Sequence, residues 1–243
     1  MVKERIDIVL AKRGITESRE KAKILIMAGE VFIDNRRILK SDIKVPDDAD
    51  IEIKGHPIPY VSYGGVKLEK VLKECRIDVS GKKAVDIGSS TGGFTDCLLQ
   101  YGASCVYAID VGTNQLHERL RGNRDVIVKE GINARYLRPN DIGEKVDLVT
   151  IDVSFISLKK ILPAAIPLLN RGGVIISLVK PQFEVGRYKV GKGGIVRDEK
   201  KLSDVIDDIK EFGSSLGIIP VDTVEAPRDR QKKNREFFII WGT

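Results

Sequence analysis

Apolar positions along this chain change their rhythm near residue 60. Before it, Ile6, Val9, Leu10 and Arg13 recur at helical spacing, and Gly14 supplies a residue able to turn left-handed after the last turn. A second helix is expected from Ser18 as N-cap through the stripe Ala22, Leu25, Ile26 to Gly29. Two short β-branched runs, 31–33 and 50–53, read as strands separated by Asp34-Asn35 turn chemistry. Residues 54–62 carry Pro57 and Pro59 without apolar periodicity and predict a stiff linker.

After residue 60 the pattern alternates between short apolar runs and amphipathic stretches. Helices are expected over 66–74, 94–101, 115–120, 159–169 and 202–216. Strands are expected over 83–87, 105–109, 126–129, 146–151, 174–179, 219–224 and 236–241. This alternation predicts an α/β fold with a doubly wound, mainly parallel Rossmann-like sheet, and a ligand site at the strand C-termini. A small α+β module over 1–60 is therefore followed by a large domain over 61–243.

The strand 83–87 runs into Gly88-Ser89-Ser90-Thr91-Gly92-Gly93-Phe94, preceded by Asp86. This D-x-G-x-x-x-G-G spacing departs from the G-x-G-x-x-G that seats a pyrophosphate on a helix N-terminus, so the loop suits a ligand without phosphates. Asp110, about 20 residues beyond the turn, ends the next strand, where a carboxylate can accept both hydroxyls of a ribose. Adenosine without pyrophosphate points to S-adenosylmethionine. The cofactor contacts expected are Asp86, the turn from Gly88 through Phe94, Asp110 at the ribose, Val111 as an apolar wall, Asn133 at the adenine, and Asp152. A nicotinamide dehydrogenase is the alternative that the loop spacing disfavours.

Composition narrows the setting. The apolar run 174–179 falls far short of the roughly 20 residues that cross a bilayer, and the N-terminal residues are broken by charge, so neither a span nor an export signal is expected. Cys75, Cys97 and Cys105 make an odd count without C-x-x-C spacing, and His56 and His117 lack ligand partners, so the expectation is a cytoplasmic protein with no metal. Net charge is +6, which mildly favours a polyanionic partner. Residues 1–60 carry 12 basic and 11 acidic side chains, whereas 12–44 carry nine and five. Lys12, Arg13, Arg19, Lys23, Arg36, Arg37 and Lys40 are the expected phosphate contacts. The long basic loop 182–198 adds Arg187, Lys189 and Lys192 over an anionic substrate.

Two further strands end in charge: Ile151-Asp152-Val153-Ser154-Phe155 and Val179-Lys180-Pro181-Gln182-Phe183. Lys180 follows an apolar run and precedes proline, so its ammonium is expected to be partly desolvated, a condition that lets a lysine act as a base. A buried structural ion pair with Asp152 is the other reading of the same two residues.

The order Arg5-Ile-Asp7, Gly14, Ser18-Arg19, Ala22, Leu25-Ile26, Gly29, Val31, Lys40 and Val45 resembles the S4 RNA-binding domain over 3–54. Gly64-Gly65-Val66-Lys67-Leu68, the glycine turn, Asp152-Val-Ser-Phe, Val-Lys180-Pro-Gln-Phe and Asn234-Arg-Glu236-Phe together resemble the FtsJ class of ribose 2′-O-methyltransferases. With the S4 module in front, the chain more closely resembles the hemolysin A/TlyA family of ribosomal RNA methyltransferases. The resemblance implies S-adenosylmethionine as cofactor, ribosomal RNA or ribosomal subunits as partner, and a Lys-Asp-Lys-Glu tetrad falling on Lys67, Asp152, Lys180 and Glu236. Tyr63 replaces the Arg usual before Gly-Gly, and 227–235 lacks the glycines usual before the last acid, which leaves Glu225 as a competitor for Glu236. Two other readings remain: an RNA-binding ribosome-assembly factor whose methyltransferase domain is weak or inactive, and a membrane-lytic hemolysin.

Overall fold

The computed structural model describes residues 3–28, 30–34, 36–53, 58–185, 195–228 and 234–243. The chain divides into two compact units, Met1–Pro57 and Ile58–Thr243.

In the first unit, β1 (Lys3–Arg5) leads into α1 (Ile6–Lys12) and α2 (Arg19–Ala28), followed by β2 (Val31–Ile33), β3 (Arg36–Arg37), β4 (Lys44–Pro46) and β5 (Ile51–Ile53). The backbone N–H of Lys21 donates to Ser18 Oγ at 3.2 Å, the capping role read from the sequence. Ile6, Val9, Leu10, Ala22, Ile26, Val31 and Val45 form its small core. Strands β1, β3 and β4 escape a sequence reading because they are two or three residues long and mostly charged, without the β-branched run that marks β2 and β5. Pairing makes them strands: β1 lies antiparallel to β4, and β2 sits between β3 and β5. Asp7 is fully buried and accepts from Arg5 at 3.0 Å and Arg19 at 3.1 Å. Burial pushes its carboxyl up, but the two guanidinium bonds outweigh that, and it stays below the usual range.

The second unit runs α3 (Tyr63–Glu74), β6 (Lys83–Ile87), α4 (Gly93–Gln100), β7 (Cys105–Ile109), α5 (Glu118–Arg121), β8 (Val126–Lys129), α6 (Pro139–Ile142), β9 (Val146–Ile151), α7 (Leu162–Ala165), β10 (Leu169–Val179), α8 (Pro181–Glu184), α9 (Glu199–Ser215), β11 (Ile219–Glu225) and β12 (Phe237–Gly242). The sheet order is β11-β12-β10-β9-β6-β7-β8, parallel from β10 to β8, with β12 antiparallel to both neighbours. Alternate residues feed a core on each face: Val85 and Ile87 on one, Ala84 on the other. The chain leaves β6 toward β7 on one side and returns to β9 on the other, which opens a ligand crevice at their C-terminal ends.

Several expected boundaries move. The expected helix 159–169 breaks into 3-10 turns at Leu158–Lys160 and Ile166–Leu168 around the four-residue α7, because Pro163 and Pro167 remove helical N–H donors. The helix expected over 115–120 shrinks to α5. The linker expected over 54–62 ends early: Tyr60 is buried in the second unit's core, and the Val61 N–H donates to Asp96 at 2.8 Å. Residues 54–57 lie outside the described residues. Among the described residues, no helix is long and apolar enough to cross a membrane.

Candidate active site

Register places the chemistry on one edge. Ile87 pairs with Ile109 and Ile151, Ile151 with Ser177, and Val179 with Phe237. Gly88, Asp110, Asp152 and Lys180 therefore leave four neighbouring strands at the same end, and Glu236 enters β12 beside Lys180.

The turn after β6 is held from below. Gly88 and Ser89 donate backbone N–H groups to the Ile109 carbonyl at 2.8 and 3.0 Å, and Gly92 donates to the Ser89 carbonyl at 2.7 Å. Gly88, Ser90 and Gly92 all have positive φ, at 84°, 48° and 97°. A Cβ on Gly88 would lie 2.4 Å from the Asp152 carbonyl oxygen, so this close approach admits only glycine.

A cleft of about 1020 Å³ opens over this edge. Of the expected cofactor contacts, Gly88, Ser90, Asp110, Val111, Asn133 and Asp152 line it. Asp86, Ser89, Thr91, Gly92, Gly93 and Phe94 do not. Asp86 is fully buried, and its carboxylate accepts the hydroxyls of Thr95 at 2.7 Å and Thr150 at 2.9 Å. Phe94 is a core side chain, its ring 5.9 Å from that of Phe238. Ser89 is buried, and Thr91 gives its carbonyl to the His117 N–H at 3.2 Å. Gly92 lies under Leu116 and Leu120, and Gly93 against Ser62 and Gly65. These residues shape the turn from behind. Gln115, Ile132, Arg135, Lys160, Gln182 and Phe183 also line the cleft. Gln182 and Phe183 belong to a motif visible in the sequence, whereas Gln115 and Arg135 carry no local signal.

Burial, with a smaller push from the Asp152 charge, raises the Asp86 carboxyl from its ordinary 3.8 to about 6 against the two hydroxyl bonds. Between those values the folded chain binds the proton more tightly than the unfolded chain, so this stability contribution is full below about pH 4 and lost as pH rises through about 6. Asp86→Asn is isosteric and can serve both threonines. Its stability relative to wild type is expected to rise across this window by about 3 kcal/mol, read from urea denaturation at successive pH values. A constant difference from pH 4 to pH 7 refutes it.

The four tetrad candidates form two separate ion pairs, and of the four Asp152 is the one that lines the cleft. Lys180 Nζ lies 2.5 Å from Asp152 Oδ1, with 12% and 21% of the side chains exposed, and donates to Ser154 Oγ at 3.0 Å. Lys67 Nζ, on the first turns of α3, lies 2.5 Å from Glu236 Oε2. Glu225 is held by Arg235, whose Nε and Nη2 donate to its two oxygens at 3.0 and 2.8 Å. That guanidinium keeps the Glu225 carboxyl below the usual range. Glu236 is thus the acid that faces Lys67.

Glu184 ties the two loops of the Lys180–Asp152 pair together. It accepts the Leu158 N–H at 2.9 Å, and burial pushes its carboxyl up. Phe155, 90% exposed at φ 63°, sets its ring 5.0 Å from that of Phe183 at the cleft.

In the first unit, three expected phosphate contacts already have protein partners. Lys12 pairs with Glu4 and Asp47 at 3.4 Å, Arg13 donates to the Ala49 carbonyl at 2.6 Å, and Arg19 holds Asp7. Arg36, Arg37 and Lys40 are exposed and Lys23 is half-buried. Arg187, Lys189 and Lys192 lie outside the described residues. Among the described residues, no cluster of three or more His, Cys, Asp or Glu side chains could hold a metal ion.

Family models match the chain as an S4 domain over 4–51 and an FtsJ-like methyltransferase over 60–243. Over 238 residues it is 48% identical to YqxC of Bacillus subtilis, described as a candidate rRNA methyltransferase, covering 98% of this chain and 85% of that one. It is 40% identical over 236 residues to the 16S/23S rRNA (cytidine-2′-O)-methyltransferase TlyA of Mycobacterium tuberculosis, covering 97% and 88%. The chain belongs to the FtsJ-like methyltransferases of the hemolysin A/TlyA family. A solved structure described as a candidate hemolysin from Streptococcus thermophilus superposes on this TlyA-family chain with a TM-score of 0.79 at 41% identity, covering 100% of this chain and 89% of that one.

This TlyA-family chain is an S-adenosylmethionine-dependent methyltransferase, and the cleft's donor set fits the cofactor. Asp110 would offer a carboxylate to ribose hydroxyls, Asn133 an amide to the adenine edge, and Val111 and Ile132 apolar surface to a ring.

Proposed function

We propose that this chain transfers a methyl group to a ribose 2′-hydroxyl of ribosomal RNA, with Lys180 as general base. The observation that carries this reading is the Lys180–Asp152 pair at the edge of the cleft that holds Asp110. The activity named for the TlyA relative supports it.

Bound S-adenosylmethionine supplies an electrophilic methyl carbon attached to a sulfur that leaves as a neutral thioether. Lys180 first gives up its own ammonium proton to solvent. The neutral Nζ then takes the proton of the ribose hydroxyl as the oxygen–carbon bond forms and the carbon–sulfur bond breaks, while Asp152 and Ser154 fix the amine's direction. Lys67, held by Glu236, adds positive charge where the alkoxide develops. Gly88 lets the cofactor turn lie against the Asp152 backbone, so donor and acceptor loops share one rigid edge, and alignment supplies much of the rate. Phe155 and Phe183 offer an apolar face on which a base can stack.

The S4 unit grips structured RNA through exposed Arg36, Arg37 and Lys40, by phosphate and shape. The division into Met1–Pro57 and Ile58–Thr243, close to the 1–60 and 61–243 read from the sequence, then separates RNA capture from methyl transfer.

The test is incubation with tritiated S-adenosylmethionine and, separately, small subunits, large subunits and naked ribosomal RNA from a strain lacking the gene. Label mapped by nuclease digestion and mass spectrometry is expected on a ribose. Label on a base overturns the ribose reading, and no label with cofactor binding intact overturns it and favours the assembly-factor role.

A further inference from the structure

The wall of the cleft formed by Asp110, Val111 and Gln115 is not part of a strand or a helix. It is a loop between β7 and α5, and its shape needs a cause. Asp110 supplies part of it, accepting the Ser90 N–H at 2.8 Å on one oxygen and the Gly112 N–H at 2.7 Å on the other. The rest comes from Glu130, at the end of β8 and outside the cleft lining. Its Oε2 accepts the Asn114 N–H at 2.9 Å, and its Oε1 accepts the Gln115 N–H at 3.2 Å and Arg121 Nη2 at 2.6 Å. Asn114 sits at φ 57°, a left-handed conformation that asparagine tolerates better than most non-glycine residues, and it turns the amide toward Glu130. The carboxylate is 13% exposed, so water does not readily replace these donors.

We propose that Glu130 is a positioning residue for the cofactor: its carboxylate gathers the Asn114 and Gln115 amides and the Arg121 guanidinium, and so holds the loop that presents Asp110, Val111 and Gln115 to the adenosine. This rests on the reading of the cleft as the S-adenosylmethionine site. The arrangement also explains why the helix expected at 115 starts only at Glu118: the amides of Asn114 and Gln115 are turned toward Glu130. Arg121 first, then the Asn114 amide, hold the Glu130 carboxyl down to about 2, so it is charged at neutral pH.

Binding of S-adenosylmethionine to the full chain, followed by calorimetry, tests this with Glu130→Gln, Glu130→Ala and Arg121→Met beside Asp110→Ala. Glu130→Gln is expected to raise Kd and KM for S-adenosylmethionine roughly tenfold, with a larger rise for alanine and a smaller one for Arg121→Met. Turnover at saturating cofactor stays within about twofold, because the reacting atoms are untouched. Amide exchange at Asn114 and Gln115 accelerates in Glu130→Gln while the β6 and β7 amides keep their protection, which separates loop release from general loss of structure. Wild-type affinity in the Glu130 variants with a clear loss in Asp110→Ala overturns the proposal and leaves the cleft reading standing. Wild-type affinity in Asp110→Ala as well overturns both. A fall in saturated turnover equal to the loss in affinity also overturns it, since that places Glu130 in the reaction itself.

Discussion

Lys180→Arg is expected to keep the fold and S-adenosylmethionine affinity while lowering methyl transfer by about a thousandfold, the scale of a lost general base. Arginine keeps a cation beside Asp152, 2.5 Å from the present ammonium, but does not give up a proton near neutral pH. Lys180→Ala loses the same turnover and stability too, because Asp152 is then left without its cation in a site where only 21% of its side chain is exposed. The pair of variants separates the two readings of these residues. A base fails in both, whereas a structural ion pair fails in alanine and survives in arginine. Single-turnover transfer of label from tritiated S-adenosylmethionine, with melting curves for each variant, reads both properties. Turnover near wild type in Lys180→Arg rules out Lys180 as the base.

Gly88→Ala is expected to lose at least about tenfold in S-adenosylmethionine affinity and several degrees of melting temperature, from a backbone and steric cost of about 3 kcal/mol. Two penalties coincide there. The φ of 84° disfavours any side chain, and the new Cβ would meet the Asp152 carbonyl oxygen at 2.4 Å and its carbon at 2.9 Å. Neither neighbour is the free end of a side chain, so relief requires the β6 turn and the β9 turn to separate. Those turns carry Ser90 and Asp152, and the damage reaches the cleft and the Lys180 pair together. Gly217→Ala is the control: φ is 86° with no atom within 4 Å of the added carbon, so it bears the backbone cost alone. It should lower the melting temperature modestly and leave affinity unchanged. Equal affinity in wild type and Gly88→Ala contradicts the close-packed turn.

Most strands of the large domain were legible because they are short apolar runs bounded by charge or glycine, whereas β10 begins at Leu169 rather than 174 because its first residues pair with β9 across a bulge. β6, β7, β8 and β9 begin and end where the pattern places them. The failures have particular causes. Residues 159–169 hold an apolar pattern of helical length, yet Pro163 and Pro167 break the hydrogen bonding that the pattern implies. Asp86 and Phe94 flank the glycine turn in sequence, but the strand pleat and the start of α4 send their side chains into the core. A linear motif cannot show which way a side chain points. Glu130 gave no signal at all, because its partners lie 15, 16 and 9 residues away and are mostly backbone amides.

Local chemistry by itself determined the alternation of strands and helices, the phosphate-free glycine turn, and which four charged residues stand at strand or helix ends. Those properties depend on neighbours within a few residues, where period, turn preference and steric freedom act. The tertiary structure alone decided that Lys180 meets Asp152, that Lys67 meets Glu236 while Glu225 goes to Arg235, and that Asp110 rather than Asp86 lines the cleft. Each of these choices depends on sheet order and register, which bring together residues such as Lys67 and Glu236 that lie 169 positions apart. Pairing between distant strands is set by the packing of both sheet faces at once, and no single segment of the chain contains that information.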